Sequence, residues 1–82
     1  QGLAWASLED PGTSRALDLW VDDRFSWLMC FTGDTLPDPA RRRRAVAVEP
    51  MSCPPDALRS GRDLVVLEPG LSWMAAWGLR VR

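Results

Sequence analysis

The 82-residue sequence predicts an all-β, mainly antiparallel fold. Three observations carry that expectation. Short apolar runs alternate with period two, clusters of Pro, Gly and Asp separate them, and no stretch sustains the 3.6-residue periodicity of a helix. Successive strands without helices between them belong to sandwiches and barrels rather than to α/β layers.

Leu3 to Leu8 reads as a first strand, closed by the turn residues Glu9-Asp10-Pro11-Gly12, in which Pro and Gly offer a fixed and a permissive dihedral. A hairpin partner follows in Arg15 to Val21. There Leu17, Leu19 and Val21 share one face, and Asp18 and Trp20 take the other. Asp22-Asp23-Arg24 breaks this run. Trp27 to Thr32 is apolar on both faces, as in a strand covered on both sides, so a central position is expected for it. Gly33 to Pro39 has the composition of a surface loop, which the arginines Arg41 to Arg44 close. A solvated loop end is the plain reading of that run, with contact to an acidic ligand such as a sugar phosphate as the alternative.

Ala45 to Glu49 is the stretch on which the functional reading turns. Strand alternation puts Glu49 on one face with Ala45 and Ala47, and Val46 and Val48 on the other. Two small neighbours leave a hollow beside the carboxylate that a ligand can fill. Pro50 has no N–H for a ladder, so pairing is expected to stop just after Glu49. Asp56 to Asp63, with Gly61 inside it, is expected to be irregular. Leu64 to Leu67 and Leu71 to Val81 then flank Glu68-Pro69-Gly70 and read as a second hairpin. In its last strand Leu71, Trp73, Ala75, Trp77, Leu79 and Val81 share a face, so Trp73 and Trp77 are expected in the core.

Composition limits the function classes. The net charge is −1, and all ten cations are Arg, without a basic face to accompany the Arg41–Arg44 run. That excludes a generally basic nucleic-acid binder. Cys30 and Cys53 lie far apart with no CxxC or Cys/His spacing, so no metal site is expected and the thiols are read as reduced and half-buried. Apolar runs are short and alternating, which predicts a cytoplasmic protein that makes no membrane contact. A chain of this size buries only about 60% of its unfolded surface. The first residue is Gln1 and not Met, and residues 1–82 are read as one segment of a longer protein.

The run Ala47-Val-Glu-Pro-Met-Ser-Cys-Pro-Pro-Asp-Ala57 follows Phe31-Thr32-Gly33-Asp34 and precedes Gly61 and Leu64-Val-Val-Leu-Glu-Pro-Gly70. In that order these motifs resemble the C-terminal part of the aldose 1-epimerase (galactose mutarotase) family, from about Leu17 to Trp77. The resemblance implies strands of a large galactose-mutarotase-like β-sandwich, a monosaccharide substrate, no cofactor, and the remaining N-terminal part of the same domain as partner. It assigns Glu49 as general base. It implies sugar contacts at Met29, where many relatives have Gln, and at Asp34, where Asn is common and a turn role comes first.

Anomer interconversion needs one base and one acid, and a positioned proton-transfer group is worth roughly 10²–10⁴-fold. The implied acid is a histidine, and this sequence has none. The segment alone is therefore expected to be inactive, with the acid supplied upstream. The alternatives are a hexose 6-phosphate mutarotase of the same superfamily and a noncatalytic carbohydrate-binding β module. Exposed sheet edges make self-association an expected behaviour.

Overall fold

In the computed structural model, which describes residues 2–82, the chain forms two small antiparallel sheets joined by irregular segments. Among the described residues the fold is all-β apart from one 3₁₀ turn and one short helical turn. Strand β1 (Leu3–Asp10) pairs along its full length with β2 (Arg15–Asp22), from Leu3 opposite Asp22 to Asp10 opposite Arg15. The Asp10 carboxylate shapes the turn between them, accepting from the Gly12 N–H at 2.9 Å and the Thr13 hydroxyl at 2.8 Å. These bonds hold the Asp10 carboxyl below its ordinary pKa, the Thr13 hydroxyl contributing most. The left-handed residue of the turn is Ser14 (φ 59°), not Gly12.

The far edge of β2 pairs with β5 (Trp77–Val81), giving the order β1-β2-β5. Bonds beyond each end of β5 fix that pairing. The Asp22 N–H donates to Ala76 O (3.0 Å), Ala76 N–H donates back to the Asp22 carboxylate (2.8 Å), and Arg82 N–H donates to Ala16 O (2.9 Å). Register then sorts the residues of this sheet by face. Ala4, Ala6, Leu8, Leu17, Leu19, Val21, Trp77, Leu79 and Val81 line one face. Trp5, Ser7, Glu9, Asp18, Trp20, Gly78 and Arg80 line the other. Leu19 and Val21, on the central strand, are buried, whereas Leu79 and Val81 on the edge are exposed.

The polar face is tied together by Asp18, which is 1% exposed. It accepts from the Ser7 hydroxyl (2.7 Å), from Arg80 Nη2 (2.7 Å) and Nε (3.0 Å), and pairs with Arg82 Nε at 2.9 Å. Arg80 also lies over the Trp5 ring at 4.6 Å. Buried charge is tolerated only when matched in this way.

The second sheet holds β3 (Trp27–Phe31) and β4 (Ala47–Met51). Trp27 to Thr32, expected to be central, instead forms one strand of a two-stranded sheet, with Leu28, Met29 and Phe31 all at least 36% exposed. Its apolar faces are fit for covering, but β1, β2 and β5 form a separate sheet and leave them open. Pairing also runs past Glu49, with Pro50 opposite Leu28 and Met51 opposite Trp27. In a two-stranded sheet every strand is an edge, and backbone N–H groups face the partner only at alternate positions, so a proline whose nitrogen faces outward costs the ladder nothing.

Asp56 to Asp63, expected to be irregular, contains one helical turn, α1 (Ala57–Ser60), and Gly61 (φ 74°) caps it rather than breaking it. The second expected hairpin does not form. Its turn is present, with Leu71 N–H bonded to Glu68 O at 3.0 Å, but Leu64–Leu67 and residues 71–76 are not strands. A two-stranded hairpin without a third strand is marginal, and only Trp77–Val81 finds a partner. Trp73 and Trp77, expected in the core, are 39% and 53% exposed, and Trp73 packs perpendicular to the Phe25 ring at a centroid separation of 6.2 Å.

Candidate functional site

The antiparallel register of β3 and β4 sets Met29 directly opposite Glu49, flanked by the pairs Trp27–Met51 and Phe31–Ala47. Directly opposed side chains project from the same face, with Cβ atoms about 5 Å apart. Two residues singled out in the sequence, Glu49 and Met29, are thus brought together 20 positions apart. One carboxylate stands on a face otherwise made of Trp27, Met29, Phe31, Ala47 and Met51.

Glu49 is exposed, and among the described residues no hydrogen bond or ion pair engages its carboxylate. The small residue Ala47 does flank it, and neither the hollow lined from Leu8 to Arg82 nor the one lined from Leu36 to Ala45 includes Glu49. An open carboxylate on an apolar face can accept a hydroxyl group of a ligand whose carbon skeleton lies on Met29, Phe31 and Trp27.

Asp34 does not join this face. It follows the end of β3, where its carboxylate accepts from the Thr32 hydroxyl (2.8 Å) and pairs with Arg43 Nε (3.5 Å), so its turn role dominates. Gly33 beside it is buried at φ 80°, and a side chain there would press on Leu36, its Cβ 3.2 Å from Leu36 Cδ1. The Phe31-Thr-Gly-Asp34 motif is thereby seated under the arginine loop.

Trp27 is a residue of this face that the sequence reading passed over. Its indole N–H donates to Asp63 (2.9 Å) and the Arg62 guanidinium lies over its ring at 4.7 Å. The segment after α1 therefore folds back to frame the Glu49 face. Period-two alternation with Met29 and Phe31 was the available signal for Trp27; nothing local connects it with Asp63, 36 positions away.

Comparison with known proteins gives one limited likeness. The chain is 48% identical over 44 residues to the uncharacterized protein YihR of Escherichia coli (strain K12). That match covers 54% of this chain and 13% of YihR, so the chain spans a small part of the relative's length. No family model and no solved structure matches. Cys30 is exposed rather than half-buried, Cys53 is half-buried, and both thiols are free. Among the described residues no group of three His, Cys, Asp or Glu side chains is arranged to hold a metal ion, and no helix is long and apolar enough to cross a membrane.

Proposed function

We propose that this chain contributes the general base, Glu49, of an aldose 1-epimerase-like enzyme. The observation that carries the reading is the pairing of Glu49 with Met29 on one open apolar face, because it joins two positions that the family resemblance marks independently. In the reaction the carboxylate takes the proton of the sugar's C1 hydroxyl while an acid protonates the ring oxygen. The C1–O5 bond breaks to give the open-chain aldehyde, rotation about C1–C2 exchanges the carbonyl faces, and the reverse steps close the ring as the other anomer. The acid is a histidine from sequence beyond these 82 residues, which contain none. A partner segment that supplies it also covers the Glu49 face and withdraws the carboxylate from water, as efficient base catalysis requires.

Met29 sets the limits of substrate recognition. A thioether accepts weakly and donates nothing, so it contributes contact area rather than a directed hydrogen bond to the sugar. The exposure of Glu49 favours a second reading, a noncatalytic carbohydrate-binding face in which the carboxylate only accepts sugar hydroxyls.

Anomer exchange measured by magnetisation-transfer NMR on glucose and galactose separates the two. The longer protein is expected to catalyse exchange, and Glu49→Gln to lower it by roughly 10²–10⁴-fold while sugar binding persists. Unchanged exchange in Glu49→Gln removes the base assignment; no exchange in the parent, with sugar binding retained, leaves the binding reading.

A further inference from the structure

We propose that the hollow flanked by Arg41 and Arg44 is a binding site for a phosphate group. Four consecutive arginines here divide by what they touch. Arg42 Nε donates to Leu36 O at 2.7 Å, and Arg43 Nε pairs with Asp34 at 3.5 Å. Arg41 and Arg44 line one hollow of about 420 Å³ with Leu36, Ala40 and Ala45, and among the described residues neither has a carboxylate in ion-pair distance. Two arginines bordering the same hollow with no carboxylate in ion-pair distance leave their positive charge to be balanced from outside the chain, which favours an anion there. In a chain of net charge −1, this is a local concentration of uncompensated positive charge.

The loop presenting the pair is held in place before any ligand arrives. Asp38 caps the 3₁₀ turn Pro39–Arg41 by accepting from Ala40 N–H at 3.0 Å, and Pro39 fixes its first dihedral. The bonds of Arg42 and Arg43 tie the loop to Leu36 and Asp34, and Arg43 itself sits at φ 58°, where a non-glycine residue is uncommon. Preorganisation of this kind lowers the ordering cost of binding. Guanidinium forks match phosphate oxygens bidentately. The volume falls in the roughly 300–1,000 Å³ range of small-molecule sites, which leaves space for a sugar carrying the phosphate as well as for the free ion. This inference is independent of the role given to Glu49.

The test is a titration of the 82-residue chain at low ionic strength, following the assigned Nε–H resonances of its arginines by NMR. Inorganic phosphate, glucose 6-phosphate and glucose are added separately. Phosphate is expected to move the Arg41 and Arg44 resonances saturably and to leave Arg24 in place. Arg41→Ala and Arg44→Ala should each weaken binding roughly tenfold or more, the worth of a charge-assisted hydrogen bond, and Arg24→Ala should not. Tighter binding of glucose 6-phosphate than of inorganic phosphate supports a site for a phosphorylated sugar, and equal binding supports one for the free ion. Absence of saturable movement, equal weakening by Arg24→Ala, or the same movement with glucose overturns the proposal. Because anomer exchange is not the readout, failure here leaves the Glu49 reading standing, and the reverse also holds.

Discussion

Asp18 and Glu49 show how differently one chain can place a carboxylate. Asp18 is surrounded by donors from the two neighbouring strands and from Arg82, which hold its carboxyl far below the ordinary value of 3.8, the Ser7 hydroxyl first and then Arg82 and Arg80. A carboxylate depressed on folding stabilises the native state above its unfolded pKa, and that stabilisation disappears as pH falls through the folded value. Thermal melts are therefore expected to hold steady from neutral pH down to about pH 4 as far as Asp18 is concerned, and to fall progressively below it. In Asp18→Asn the acid-dependent part of the loss should be much reduced and the melting point lower at neutral pH, since Arg80 and Arg82 lose their shared partner. An unchanged acid profile in that variant would place the pH dependence elsewhere. Glu49 has no such partners among the described residues, which leaves its carboxylate open, as the role proposed for it needs. Its position on a strand was legible from alternation with Ala47, although the strand runs Ala47–Met51 and leaves Ala45 and Val46 outside it; its pairing with Met29 was not, because cross-strand register depends on how the intervening loop closes.

At the scale of elements, the first hairpin was readable because its information is local: period-two strands on both sides of a turn that Asp10 organises through residues two and three positions away. The second hairpin misled for the complementary reason. Leu64–Leu67 and residues 71–76 have β-rich composition, yet strand formation depends on an available partner edge, and β2 offers only one beyond β1. That edge is taken by β5, whose approach depends on Gly78. Gly78 pairs with Trp20, and a Cβ at that position would collide with the indole, lying 2.6 Å from Trp20 Cε2 as well as against its Nε1. Gly78→Ala is expected to displace either the indole or the β5 backbone, at a cost of roughly 1–3 kcal/mol typical of overpacking. Urea denaturation followed by Trp fluorescence reads this directly. The double variant Gly78→Ala with Trp20→Leu, which removes the collision, should recover part of the loss, whereas an equally unstable double variant would argue against the indole contact as its cause.

At the scale of the whole molecule, the chain exposes more than its mass warrants. Its accessible surface is 6656 Å², against about 4,900 Å² for a folded monomer of 9.2 kDa. The radius of gyration is 16.0 Å, against about 12 Å for a globular chain of this length. On one face of the β1-β2-β5 sheet, Leu8, Trp77, Leu79 and Val81 are each more than half exposed beside the buried Leu19 and Val21. The excess of about 1,700 Å² per chain exceeds the roughly 800 Å² per partner of a standard interface. Covering this face in a β-sandwich is compatible with the function proposed for Glu49, which projects from the other sheet. In isolation the chain is expected to self-associate, with a sedimentation coefficient that rises with concentration. The sequence pointed to exposed strand edges as the route, whereas the distribution of apolar side chains favours the face. Leu79→Glu distinguishes them: it places a charge on the apolar face while leaving the backbone edge of β5 intact, so face-driven association should weaken and edge pairing should persist. Leu58→Glu, at a residue 93% exposed but away from that sheet, should leave association as it was.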